Sequence, residues 1–150
     1  MSEALVFSCT GNPRGKGRPR ARIQRTRAGD FAQLYTDEKT RAYEAGVARL
    51  ARKAMKGRAP FIGPLSVSIR FRFKPAESLP KYKREALLAG EEAYFDVYDV
   101  DNLAKAVLDG MNKVAYGDDK QITRLFVTKV AAAKPGFDVQ VIALSPQVAP

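Results

Sequence analysis

The residues best suited to chemistry in this sequence are acidic, and they are concentrated in one short stretch. Eight of the 16 Asp and Glu residues lie between Glu91 and Asp119, although the whole chain carries a formal net charge of +10. Carboxylates crowded in this way repel one another unless cations or solvent compensate their charge. Carboxylate oxygens are ligands that hard divalent cations such as magnesium prefer. The stretch therefore indicates a site for such an ion.

The order of residues within this stretch predicts how the acids are presented. Asp99 and Asp101 are two residues apart, so an extended backbone would place both side chains on one face. Apolar residues then recur every three or four positions, which predicts a helix with Asp101 or Asn102 as its N-cap. Lys105 lies one helical turn after Asp101, close enough to contact that carboxylate or a bound phosphate. The apolar positions are Leu103, Val107, Met111 and Val114.

Each of these features also has a simpler interpretation. An Asp and a Lys four residues apart are commonly a surface ion pair, and an Asp-x-Asp pattern near a helix start commonly caps the helix. Gly117–Asp119 could be an ordinary turn before a strand. A calcium loop of the EF-hand type is excluded, because Leu103 stands where an oxygen ligand is required. The ordered combination of these features favours a compact site for a metal ion and a polyanion.

Residues 99–109 and 117–122 together resemble the signature of the RusA family of Holliday junction resolvases. That signature runs D-x-D-N-L-x-K, then a helix, then D-D-x-Q-[IV]. The upstream segments Gly15–Ala21 and Tyr35–Tyr43 resemble the same family, so the resemblance covers most of the chain. The chain departs from many relatives at Tyr94–Tyr98, where they carry a His and a Lys-Pro pair before the first Asp.

The resemblance implies that Asp99, Asp101 and Asp119 are the essential carboxylates, that Lys105 is the essential lysine and that Asp118 is an auxiliary acid. We expect the three carboxylates to ligate magnesium (Mg²⁺), with manganese (Mn²⁺) as a substitute. The implied activity is paired phosphodiester hydrolysis in a four-way DNA junction, during DNA recombination and repair. Symmetric cleavage needs symmetric sites, so the resemblance also implies a two-fold homodimer.

Other functions are compatible with the same residues. The chain could be a non-catalytic branched-DNA-binding protein whose acids hold a structural ion or cap a helix. It could also be a metal nuclease that acts on a broader range of flap and fork substrates. The binding protein would keep its function when the acids are replaced, whereas a nuclease would then bind DNA without cutting it.

Composition sets the class of protein and of partner. A chain of 150 residues predicts one domain, residues 1–150, with a pI of about 9.9. Residues 1–58 hold 14 Lys and Arg against five acids, which predicts a nucleic acid partner and leaves an anionic membrane surface as the alternative. With no histidine and only Cys9, neither a Ser-His-Asp triad nor a zinc-finger site can form. Nothing resembles a signal peptide or a long apolar span, so we expect a cytoplasmic protein without a membrane segment.

The basic charge is densest at Arg14–Arg27, which holds seven positive residues and no acid. Gly15, Gly17 and Pro19 are expected to prevent regular structure there, within a basic loop over residues 10–36. The segment is interpreted as a loop that grips DNA phosphates, with a solvated arm as the alternative. The residues predicted to bind DNA are Arg14, Lys16, Arg18 and Arg20.

Hydrophobic periodicity predicts the remaining elements and the fold. The pattern favours a strand over Ala4–Cys9, an amphipathic helix over residues 37–56 with Thr36 as N-cap, and a half-buried strand over Leu65–Phe73. The variable segment 75–98 contains a possible short helix over Pro80–Leu88. The predicted last two strands, Ile122–Val130 and Val139–Leu144, are expected to pair as a hairpin. The sequence therefore predicts a single α+β domain with a mixed β-sheet and two main helices.

Overall fold

The structure, a computed structural model, describes residues 3–17, 20–95 and 98–147. The chain passes through six strands, three α-helices and one short 3-10 helix. In order these are β1 (Ala4–Thr10), β2 (Arg20–Thr26), β3 (Gly29–Tyr35), α1 (Glu38–Met55), β4 (Leu65–Phe73), α2 (Lys81–Leu88), α3 (Val100–Met111), the 3-10 helix (Asp119–Gln121), β5 (Ile122–Ala131) and β6 (Gly136–Ala143). The predicted single α+β domain is confirmed, with α1 and α3 as its two main helices.

The main sheet has four strands in the order β1-β6-β4-β5. β6 runs antiparallel to both β1 and β4, whereas β5 runs parallel to β4, so the sheet is mixed as predicted. The predicted hairpin between the last two strands is wrong, because β4 lies between them. Residues 132–135 carry the chain across β4, a distance of roughly 10 Å that four residues easily span.

The core lies between one face of this sheet and the helices α1 and α3. Alternate residues of β4 are buried, as the sequence pattern predicted, and they meet buried residues of β6 and β1. α1 packs against β1 and α3, and α3 packs against β5. The buried side chains of β4 are Leu65, Val67, Ile69, Phe71 and Phe73.

The two main helices differ from the predicted boundaries at their N-termini. α1 is capped by Asp37, whose carboxylate accepts a hydrogen bond from the Thr40 backbone N–H at 2.7 Å, so the predicted cap Thr36 is wrong by one residue. The N-cap of α3 is Asp99, and Asp101 already lies within the first turn. A cap at Asp101 or Asn102 is therefore wrong as well, because the helix begins at Val100.

The basic segment is more regular than its glycines suggested. β2 and β3 form a separate two-stranded antiparallel sheet that pairs Arg20 with Tyr35 at one end and Thr26 with Gly29 at the other. The prediction of an irregular segment up to Arg27 is wrong, because Gly15, Gly17 and Pro19 all precede β2 in the sequence. Gly29 has a φ of +125°, a conformation that favours glycine, and it lies at the turn that reverses the chain.

The variable segment 75–98 contains the predicted short helix, α2, with Pro80 at its N-cap position. The end of the segment is fixed to the sheet by stacked aromatic rings. The Phe73 ring lies 5.3 Å from that of Tyr94 and 6.2 Å from that of Tyr98, measured between centroids. These contacts hold the chain close to the end of β4 just before α3 begins. No helix in the described ranges is long and apolar enough to cross a membrane.

Candidate active site

The first acidic motif lies at the N-terminus of α3. Asp99 and Asp101 are both exposed, and the backbone is extended at Asp99 but helical from Val100 onward. The expectation of two carboxylates on one strand face is therefore wrong. The Lys129 ammonium of β5 donates a hydrogen bond of 2.8 Å to the Tyr98 carbonyl and so fixes the chain directly before Asp99.

Lys105 connects α3 to the second acidic motif. Its Nζ lies 3.1 Å from Asp109 Oδ1, one turn further along the helix, and 3.6 Å from Asp119 Oδ2. The predicted contact with the Asp101 carboxylate is replaced by these two ion pairs, although Lys105 and Asp101 line the same surface pocket beside β5. The hydrogen bond to Asp109 raises the pKa of Lys105, and the charges of Asp109 and Asp119 act in the same direction.

The second acidic motif is a tight turn whose shape explains its sequence. Asp118 caps the 3-10 helix by accepting a hydrogen bond of 2.8 Å from the Lys120 backbone N–H, which lowers the pKa of the Asp118 carboxyl. The Gln121 side chain accepts from the N–H groups of Gly117 and Asp118 and donates to the carbonyl of Phe61. Asp119 therefore belongs to a turn fixed by hydrogen bonds that directly precedes β5, and β5 begins at Ile122 as predicted.

Lys16 ties the basic segment to both main helices. Its ammonium contacts Glu44 of α1 and lies 2.9 Å from Asp109 Oδ2, while its backbone N–H donates to the Asn102 carbonyl at 3.1 Å. Burial acts to lower the pKa of Lys16, but the hydrogen bonds to the two carboxylates outweigh it and raise that pKa. Its positive charge is therefore directed into the protein.

Two glycines allow the backbone around Lys16 to pass close to both helices. A Cβ added at Gly15 would lie 2.6 Å from the Asn102 amide nitrogen, and one added at Gly17 would lie 2.5 Å from Thr40 Oγ1. The Gly17 N–H donates to that Thr40 oxygen at 3.2 Å. The Gly-Lys-Gly pattern thus serves a close approach of the loop to α1 and α3.

The other residues predicted to bind DNA are placed less fully. Arg14 is exposed, Arg18 lies outside the described residues, and Arg20 begins β2. Glu44 and Asp109 were not among the predicted site residues. The i,i+4 spacing of Lys105 and Asp109 could have revealed the second, whereas nothing local in the sequence relates Glu44 to Lys16.

The acids suit a hard divalent cation in their chemistry more than in their present arrangement. Asp99 and Asp101 are exposed and Asp119 is partly exposed, and all offer the oxygen ligands that magnesium takes. Within the ranges 3–17, 20–95 and 98–147, no three acidic or cysteine side chains are gathered closely enough to hold a metal ion. Asp119 is instead paired with Lys105. The oxygen ligands therefore match the preference of the ion, but Asp99, Asp101 and Asp119 are not gathered around one point in this arrangement.

Comparison with known proteins agrees with the resemblance carried by these motifs. Residues 10–142 match the family described as Endodeoxyribonuclease RusA, and this range includes the basic segment, α3 and the Asp118–Asp119 turn. The chain is also similar to the uncharacterized protein YqaN of Bacillus subtilis (strain 168). The two are 28% identical over 141 residues, which cover 93% of this chain and 96% of that protein. Since the family match spans most of its length, the chain belongs to the RusA family of endodeoxyribonucleases, enzymes that resolve Holliday junctions.

Proposed function

We propose that this endodeoxyribonuclease uses magnesium to hydrolyse paired phosphodiesters of a four-way junction in DNA recombination and repair. The observation that carries the proposal is the contact of Lys105 with Asp119. It brings the Asp-x-Asp-Asn-Leu-x-Lys motif of α3 together with the Asp-Asp turn, although Asp101 and Asp119 are 18 residues apart in the sequence.

The carboxylates proposed to hold the ion are Asp99, Asp101 and Asp119, with Asp118 as an auxiliary acid. When bound, a divalent cation supplies charge neutralisation at the phosphate and makes a coordinated water more acidic. The protein's part is to fix the backbone that carries these oxygens, with Asp99 and Asp101 at the N-terminus of α3 and Asp119 in the turn that Lys105 contacts. The capping bonds of the Asp118–Gln121 turn and the Lys129–Tyr98 hydrogen bond fix that backbone.

Lys105 is proposed to stabilise the charge that develops on the phosphate. A lysine ammonium is a compact point charge, suited to an oxygen that becomes more negative during the reaction. Lys105 remains 53% exposed while it pairs with Asp109 and Asp119, so a phosphate can approach it from solvent. Lys105 carries its positive charge at neutral pH as any lysine in water does, and the two carboxylates raise its pKa further.

The basic segment is proposed to bind the DNA backbone through Arg14, Arg18 and Arg20. Binding of this kind depends on charge and releases counterions, so its affinity falls with salt. Lys16, also predicted to contact DNA, has its ammonium between Glu44 and Asp109. We propose that it contributes by holding the loop in place beside α3.

Replacement of single carboxylates tests the proposed site. Asp101→Asn and Asp119→Asn should each abolish cleavage of a synthetic four-way junction in magnesium while they retain or tighten junction binding. Each substitution removes an oxygen ligand and also a negative charge that faces the phosphates. Asp138→Asn is the matched control, because Asp138 pairs with Arg70 and Arg72 on the sheet face away from the helices. Cleavage by both site variants within about tenfold of wild type, a loss of only ~1.4 kcal/mol, would exclude them as metal ligands.

A further inference from the structure

A network of alternating positive and negative side chains connects α1, the basic segment, α3 and the 3-10 turn. Lys16 contacts Glu44 and lies 2.9 Å from Asp109 Oδ2. The other oxygen of the same carboxylate, Asp109 Oδ1, lies 3.1 Å from Lys105 Nζ. Lys105 in turn lies 3.6 Å from Asp119. Asp109 therefore binds two ammonium groups, one with each oxygen.

The two ends of this charge network, at Lys16 and at Lys105, differ in how well they are shielded from water. The side chains of Lys16, Glu44 and Asp109 are each 21% exposed, whereas that of Lys105 is 53% exposed. Partly buried charges are screened less than exposed ones, so the pairing of Lys16 with Asp109 is the firmer of the two contacts that Asp109 makes. The protected end can thus fix the orientation of the exposed end.

Lys16 is itself held by its backbone. Its N–H is bonded to the Asn102 carbonyl in the first turn of α3, and the next N–H, of Gly17, is bonded to the Thr40 hydroxyl in α1. Lys105, by contrast, has a flexible four-carbon stem and would sample many rotamers if only solvent surrounded its ammonium. A fixed partner on the same helix restricts that freedom.

We propose that Asp109 is a positioning residue for the nuclease reaction. Held by Lys16, the Asp109 carboxylate keeps the Lys105 ammonium beside Asp119, where the phosphate of the junction is expected to lie. The inference rests on the proposed role of Lys105 in catalysis and extends it to the residues that orient that lysine. It also links the basic segment directly to the site, because Lys16 of that segment supplies the ammonium that holds Asp109.

The alternative is that Asp109 only ties α1 to α3 through Lys16. The two roles predict different kinetics for Asp109→Asn, a substitution that keeps the shape of the side chain and removes its charge. A positioning role predicts a loss of roughly tenfold or more in the single-turnover cleavage rate at saturating enzyme, with the junction dissociation constant in EDTA unchanged. A purely structural role predicts a lower melting temperature and a normal rate.

A double-mutant cycle with Lys105→Met separates the roles further. If Asp109 acts through Lys105, then Asp109→Asn should cause no additional loss of rate in the Lys105→Met background. The control is Asp138→Asn, which breaks ion pairs to two arginines on the far face of the sheet. It should lower the melting temperature and leave the cleavage rate at the wild-type value.

The double variant Lys16→Met/Glu44→Gln keeps the test decisive if Asp109→Asn does not fold. It removes the charges of Lys16 and Glu44 and leaves Asp109 in place. We expect this variant to cleave more slowly while it still binds the junction. A wild-type rate for folded Asp109→Asn, or a loss that multiplies with that of Lys105→Met, would overturn the inference. A near-normal rate for Lys105→Met alone would overturn the proposed role of Lys105 and the inference with it, so the two failures are distinguishable.

Discussion

At the scale of single residues, Lys105 has two possible roles that the structure makes testable. It extends from α3 and pairs with Asp109 on its own helix and with Asp119 on the 3-10 turn. A helix-surface ion pair of this kind stabilises a protein by at most about 0.5 kcal/mol, whereas an ammonium that faces a reacting phosphate stabilises the transition state by much more.

We predict that Lys105→Met folds and binds a four-way junction but cleaves it about 100-fold more slowly, a loss of about 3 kcal/mol of transition-state stabilisation. Lys105→Arg should restore little of this rate, because the planar guanidinium is larger and would crowd the space between Asp109 and Asp119. The measurement is single-turnover cleavage at saturating enzyme. A near-normal rate would mean that Lys105 only forms ion pairs on the helix surface and does not act on the phosphate.

The residues that carry the motif were recognisable from spacing, but their partners were not. The order of Asp99, Asp101, Lys105 and Asp119 is a local pattern, so the sequence alone could indicate the site. The pairing of Lys16 with Glu44 and Asp109 joins residues far apart in the chain, and a lysine in a basic segment is more simply interpreted as a DNA contact. Only the folded arrangement of α1 against α3 shows that its charge points inward.

At the scale of elements, the contact between α1 and α3 sets the position of the site. A Cβ added at Gly110 of α3 would lie 2.6 Å from Val47 Cβ and 3.0 Å from the Glu44 carbonyl, so the two helices approach closely there. The same approach places Glu44 and Asp109 on either side of Lys16. Helix packing and the charge network therefore depend on one another.

We predict that Gly110→Ala destabilises the protein by about 1–3 kcal/mol, because the added methyl group must push α1 away from α3. Gly46→Ala in α1 is the matched control, since a Cβ there meets only the end of the Arg49 side chain, at 3.8 Å. That change should stabilise the protein by roughly 0.5–1 kcal/mol, because alanine lowers the conformational entropy of the unfolded chain. Denaturant unfolding of both variants is the measurement, and equal effects in the two helices would contradict the close packing at Gly110.

The basic segment gives a second prediction at this scale. Replacement of Arg14, Arg18 and Arg20 by Gln should weaken binding to all DNA. The slope of the logarithm of the binding constant against the logarithm of the salt concentration should become less steep by roughly one per lost phosphate contact. Lys81→Gln with Lys83→Gln is the control, because these α2 lysines pair with Glu85 and Glu92. Junction affinity measured across a salt series gives the slopes. An unchanged slope in the arginine variant would show that the segment is a solvated arm.

The elements themselves were predictable where their pattern is local. Alternation identified β4, and apolar residues every three or four positions identified α1 and α3, because each pattern reports which face the element buries. Strand pairing is not local: the sequence Lys134-Pro-Gly136 between the last two strands indicates a turn, and it does so whether β6 returns beside β5 or crosses to the far side of β4. The β2–β3 hairpin was missed because the glycines that precede it dominate the local composition.

At the scale of the whole molecule, the charge distribution matches the activity of the family. Positive charge is concentrated in the first 58 residues, and the acids gather at the N-terminus of α3 and in the turn after it. The Gly15–Gly17 backbone brings these two regions together, since it is bonded to both main helices. A junction bound by the basic segment would therefore lie next to the carboxylates.

We propose that two copies of the chain act together, because the two strands cut in a resolved junction are related by two-fold symmetry. A mixture in which one copy carries Asp101→Asn should then leave many junctions with a single nick. Co-expression of differently tagged wild-type and variant chains, followed by isolation of the mixed species, provides the protein for this test. Two nicks per junction from the mixed species at the wild-type rate would contradict two sites that each cut one strand.

The most direct test of the account is cleavage of an immobile four-way junction labelled on two opposing strands, with magnesium, with manganese and with neither. We predict paired nicks at symmetric positions that can be sealed by ligase, in either metal and not in EDTA, while a linear duplex of the same sequence remains intact. Binding of the junction without cleavage at any metal concentration would contradict the proposed site at α3 and the 3-10 turn.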